Sequence, residues 1–160
     1  MNYTKLLKLL YLADRASLLD TGVSITGDEI VNMANGPVLS AVYDCIKGNR
    51  FEGTAWMKFF RKDGYDVRLE GDPGVSELSD YDIDVLTSLA DEYRLASYGD
   101  MINVAHQLKE WSRPEDGGAD WLPYEAILRA NGVSEDDVRA FQARNEAINA
   151  FDGAVSSRRS

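Results

Sequence analysis

Residues 2–20 carry their leucines in three separate helical rows, and no other feature of the chain constrains its fold as tightly. Leu6, Leu9, Leu10, Ala13 and Ser17 recur at helical spacing. Leu7, Tyr11 and Leu18 lie on a second side, and Leu12 and Leu19 on a third. A helix apolar on so many sides has to be surrounded by other elements, so this pattern predicts a central helix. Gly22 follows it, where a glycine readily takes the left-handed backbone that terminates a helix.

A chain of 160 residues is long enough to enclose such a helix. A domain of this size buries roughly 70% of the surface exposed by its unfolded chain, so it needs no disulfide or metal to fold. Residues 1–151 are expected to form one domain, with 152–160 as a frayed tail. The 27 acidic and 17 basic residues give a formal charge of −10. That balance opposes non-specific nucleic-acid binding, which needs clustered Lys and Arg against phosphates. It also opposes an anionic membrane surface. Cys45 and His106 are the single cysteine and histidine, too few for a structural zinc site with four N or S ligands. No metal or cofactor is expected. The N-terminus lacks the pattern of a signal peptide, no stretch approaches eighteen apolar residues, and a cytoplasmic setting is expected.

Beyond the first helix, Ile30–Ala34 reads as a strand or as one irregular turn, and Asn35-Gly36-Pro37 as punctuation. Pro37 suits the first turn of a helix over Val38–Ile46, with Val38, Ala41, Val42 and Cys45 on one face. Aromatic and β-branched residues over 56–61 and 65–69, around Lys62-Asp63-Gly64, predict a β-hairpin. Tyr65, Val67 and Leu69 would share its buried face. Ser79 and Asp82 form a capping pair that opens a helix with Ile83, Leu86, Leu89, Ala90 and Tyr93 as its stripe. Further helices are predicted from Asp100 to Trp111, from Pro123 to Ala130, and after Ser134. The last of these carries Val138, Phe141 and Ile148, and the chain is expected to fray over 156–160. The fold class is therefore mainly α (α+β), with a small antiparallel β-hairpin.

Chemistry is sparse. His106 has the pKa range of an acid–base residue, with Asp100 and Glu110 nearby in sequence, but no nucleophile accompanies it. A histidine packed between helices is the simpler reading. Cys45 reads as a small hydrophobe on a helix face. No phosphate-binding glycine motif occurs. The aromatic group Trp56, Phe59, Phe60 and Tyr65 is more suggestive, because strict alternation in a strand cannot bury Phe59 and Phe60 on one face.

Three phrases resemble the Panacea domain, also called the SocA-like antitoxin domain. They are Lys8-Leu9-Leu10-Tyr11-Leu12-Ala13, then Ile25-Thr26-Gly27-Asp28 leading to Asn35-Gly36-Pro37-Val38 and Val42-Tyr43, then His106 followed by Trp111. The similarity covers roughly residues 3–130. The resemblance implies an antitoxin of bacterial or phage origin, not an enzyme, that binds and neutralises a cognate protein toxin directly. Proteolytic delivery of the toxin is the alternative, since one family member is an adaptor for an ATP-dependent protease. Modification of the toxin or of its target is a second alternative. Neither direct nucleic-acid binding nor membrane binding is expected.

Trp56, Phe59 and Tyr65, with Asn35 and Tyr43, are the candidate partner contacts. Tyr11, Gly36, Pro37, His106 and Trp111 are the candidate structural or interface motif, and no catalytic residue is assigned.

Overall fold

The computed structural model describes residues 1–49 and 55–157. Helix α1 spans Tyr3–Thr21. Asn2 caps it, its Oδ1 accepting from the Thr4 and Lys5 amides, and Gly22 ends it at φ 71°. Tyr11, Leu18, Leu7 and Ala13 are buried, and Leu12 and Leu19 of the third row are partly buried against the core, so the helix is covered on all three leucine rows.

What surrounds α1 follows in chain order. Strand β1 is Ile30–Met33, β2 is Val38–Leu39 and α2 is Ser40–Lys47. Helix α3 is Ala55–Phe59, and the hairpin β3–β4 is Phe60–Asp63 with Asp66–Leu69. Then come α4 (Asp80–Glu92), α5 (Tyr98–His106), β5 (Ala119–Trp121), α6 (Tyr124–Ala130) and α7 (Glu135–Ser157). Helix α7 runs to Ser157, into the stretch expected to fray, and residues 158–160 lie outside the described residues.

The α+β class is as expected, but there are two sheets rather than one hairpin. Ile30–Met33 is a true strand and lies at the centre of an antiparallel sheet ordered β2-β1-β5. Its register pairs Ile30 with Leu39, and Val31 with both Val38 and Trp121. A three-residue strand such as β5 leaves no alternation to read in the sequence, which is why it escapes sequence reasoning.

Pro37 does not open a helix. It precedes β2, and α2 starts three residues later at Ser40. The reason lies in Asp28, whose carboxylate accepts from the Ala41 and Val42 amides at 2.9–3.1 Å and so caps α2 from another segment. Val38 accordingly faces the core from a strand, and Ile46 is the buried residue of α2.

The hairpin is shorter than predicted. Trp56 and Phe59 lie on α3, so the alternation argument for Phe59 and Phe60 falls. Of Tyr65, Val67 and Leu69, only Val67 is buried. The start of the chain anchors this hairpin: the Tyr3 amide donates to Tyr65 O, and the Val67 amide to Met1 O, both at 2.8 Å.

Two apolar clusters result. The larger joins Tyr11 and Leu18 to Ile30, Leu39, Leu122, Ile127, Val138 and Phe141. The smaller holds Leu7, Val38, Ile46 and Val67, flanked by Tyr3, Tyr43, Trp56 and Phe60.

Helices α4 and α5 begin with full capping boxes, Ser79 with Asp82 and Ser97 with Asp100. The first is the predicted one, and the second moves the start of α5 ahead of Asp100. Helix α5 ends at His106, short of Trp111. Lys5 Nζ donates to the carbonyls of Tyr93, Arg94 and Ala96, so α1 supplies the cation that meets the end of α4.

Candidate functional site

The motif residues converge on the loop between β1 and β2. Trp111 Nε1 donates to Met33 O at 3.1 Å, and His106 Nε2 lies 3.0 Å from Ala34 O. A carbonyl only accepts, so Nε2 carries a proton. The two rings stack with centroids 4.0 Å apart and 16° between planes. His106 and Trp111 therefore clamp the loop from α5 and the turn that follows it. Asp100 and Glu110 are both engaged elsewhere, the first in its capping box.

Reaching the loop from α1, buried Lys8 donates to Gly36 O and Pro37 O, each at 2.8 Å. Burial lowers the Lys8 ammonium to about 7. Gly36 has φ 97°, and a Cβ there would stand 2.5 Å from the Ala105 Cβ. Gly36 thus lets the loop lie against α5 while its carbonyl meets Lys8. Gly36→Ala is expected to lower stability by about 2–3 kcal/mol in urea melts, from the left-handed backbone and overpacking together. Adding Ala105→Gly should return only the overpacking share. A G36A protein as stable as wild type would refute this account of the loop.

Glu110 organises a third set of contacts. Tyr11 donates to Oε1 at 2.7 Å and Arg15 Nε to the same oxygen at 2.5 Å. Asn131 Nδ2 donates to Oε2 at 3.0 Å, and its Oδ1 accepts from Arg15 at 2.6 Å. Burial opposes the Glu110 charge, but the bonds from Arg15, Tyr11 and Asn131 prevail and hold its carboxyl below the usual range. Burial and the Glu110 charge push the Tyr11 hydroxyl up, so it remains a donor. Tyr11, Gly36 and Pro37 are buried.

The Ile25-Thr26-Gly27-Asp28 phrase has an equally physical role. Buried Asp14 accepts from the Thr26 amide at 3.0 Å, from the Thr26 hydroxyl, and from Ser24 Oγ at 3.2 Å. This seats the loop so that Asp28 can cap α2. Sequence reasoning did not single out Lys8, Asp14, Asp28 or Glu110 for these roles. For Asp14 a signal was available, since Leu7, Leu10, Tyr11 and Leu18 surround it at helical spacing.

Of the expected contact residues, Trp56 and Tyr43 pack on the smaller apolar cluster. Trp56 stacks on Phe60 with centroids 4.4 Å apart. Tyr65 is 74% exposed and stacks on Tyr3 at 6.0 Å. Lys47 Nζ lies 5.4 Å from the Tyr43 ring centroid. Asn35 is exposed on the clamped loop, and Phe59 is half-buried at the end of α3. Cys45 is half-buried. Among the described residues no group of His, Cys, Asp and Glu could hold a metal ion, and no helix is long and apolar enough to cross a membrane.

A central α-helix enclosed by small sheets and further helices, with a loop held by a buried lysine and a histidine–tryptophan pair, makes this an α+β domain. The family model described as "Antitoxin SocA-like, Panacea domain" matches residues 6–112 of the 160, and the chain belongs to that family. No curated protein and no solved structure matches it.

Proposed function

We propose that this domain is an antitoxin that neutralises a cognate toxin by binding it directly and stoichiometrically. Membership of an antitoxin-like family is the observation that carries this reading. The aromatic surface around the smaller apolar cluster supports it, because tyrosine and tryptophan dominate the energetics of protein interfaces. The proposed contacts are Tyr65, Tyr43, Trp56, Phe59 and Asn35. Tyr65 heads this group, since its ring is exposed beyond what packing on Tyr3 requires. The net charge of −10 would speed encounter with a basic partner.

The test is titration of the domain against the toxin encoded beside it. Direct neutralisation predicts an endpoint at a fixed stoichiometric ratio. Tyr65→Ala with Tyr43→Ala is expected to weaken binding about 30-fold or more while leaving the fold intact. Full protection at strongly substoichiometric amounts would favour an enzyme instead. Rescue of growth that vanishes in protease-deficient cells would favour an adaptor.

A further inference from the structure

On this acidic protein, no carboxylate among the described residues lines the cleft between the start of α1, the β1–β2 loop and α2. It encloses about 160 Å³, and Tyr3, Lys8, Asn35, Gly36, Tyr43 and Lys47 contribute to its walls. Liquid water takes about 30 Å³ per molecule, so the cleft suits a small polar group rather than a large ligand.

Lys8 is the anomaly. It is 2% exposed, and two of its three N–H groups go to the carbonyls of Gly36 and Pro37. Those partners are neutral dipoles, and among the described residues no carboxylate forms an ion pair with it. A buried ammonium in such surroundings is costly, and proteins normally provide an opposite charge. A second cation stands close by: Lys47 Nζ donates to the Tyr3 hydroxyl at 3.1 Å and lies 4.8 Å from the Tyr3 ring centroid. Tyr3 accepts that bond, which leaves its own O–H to donate. The exposed Asn35 amide adds further donors.

The cleft wall therefore combines the Lys47 charge, a Lys8 amine that lacks an opposite charge, and the donors of Tyr3 and Asn35, and a small anionic acceptor complements all of them. Highly charged anions are disfavoured by the field of a protein with charge −10, whereas a singly charged group is penalised least. We propose that this cleft is a carboxylate site, and that in the antitoxin complex the carboxylate is an Asp or Glu side chain of the toxin. The source of the carboxylate rests on the proposed function, while the chemistry of the site does not.

Two arms test this on the full chain. In the first, lysine side chains carrying ¹³C at the ε carbon are followed by NMR. Butyrate is titrated against its uncharged isostere butyramide at constant ionic strength. Butyrate should shift the Lys8 and Lys47 signals saturably, butyramide should not, and Lys47→Gln should weaken butyrate binding about tenfold. Equal effects of the two probes, or no saturable shift with butyrate, would overturn the site.

The second arm measures toxin neutralisation by K47Q, a change on an exposed side chain. Weaker neutralisation in proportion to the lost butyrate affinity supports a carboxylate from the toxin. Unchanged neutralisation overturns that source while the site stands. A wild-type protein that binds butyrate but does not neutralise the toxin sinks the proposed function alone.

Discussion

Glu110→Ala will lower the unfolding free energy by about 3–5 kcal/mol, because it leaves a charged partner and a buried hydroxyl without their acceptor. The Glu110 side chain is fully enclosed, and Arg15, Tyr11 and Asn131 all donate to it. Those donors come from α1 and from the end of α6, so the substitution loosens the seam between the first helix and the C-terminal half. Urea melts read the loss directly.

A pH series adds a signature that simple packing loss lacks. The folded carboxyl of Glu110 lies below its unfolded value, so its contribution is fully present above about 4.3. It is lost as pH falls through the folded value. The gap between wild type and E110A should close in acid. An E110A protein within about 1 kcal/mol of wild type at pH 7 would show that the network is not a determinant of stability.

Lys8 has the other large effect, and its sign follows from the same linkage. Its folded value is about 7 against an ordinary value of 10.5. Between these limits the unfolded chain binds a proton that the folded chain does not, so stability rises with pH. The slope is at most about 1.4 kcal/mol per pH unit, which gives roughly 3 kcal/mol between pH 7 and about 9.5. Stopping there avoids ionisation of the tyrosines. Below the folded value both states are protonated, and this contribution is flat. Subtracting the profile of Lys8→Met isolates the slope, because the other titrating groups are common to both proteins. Parallel profiles for wild type and K8M would rule out a neutralised lysine at this position.

These effects mark where sequence reasoning reached and where it stopped. The capping pair Ser79–Asp82 was readable because cap and partner lie three residues apart on a single helix start. Gly22 and the α6 segment ending at Asn131-Gly132 were readable for similarly local reasons. The assignment of Pro37 to a helix went astray because the decisive group, Asp28, sits in a different segment. Trp56 and Phe59 have residue types at home in a strand, yet α3 claims them. The candidate site was legible as motif positions, but its working parts were not. Sequence spacing sets Glu110 one helical turn from His106, whereas the structure sends Glu110 to Tyr11 and Arg15 and gives His106 a backbone carbonyl.

By itself the sequence determined that the first helix had to be central, since three leucine rows leave it no solvent side. It also determined where several helices start and stop, because caps and turns depend on neighbours a few residues away. Only the tertiary structure decided that β5 completes a sheet with β1, that Lys8 meets Gly36, and that Tyr11 meets Glu110 across 99 positions. The physical reason is that a buried charge or a three-residue strand is stabilised by what stands opposite it. Periodicity along a chain records which side of an element is apolar, and carries no record of which distant group will face it.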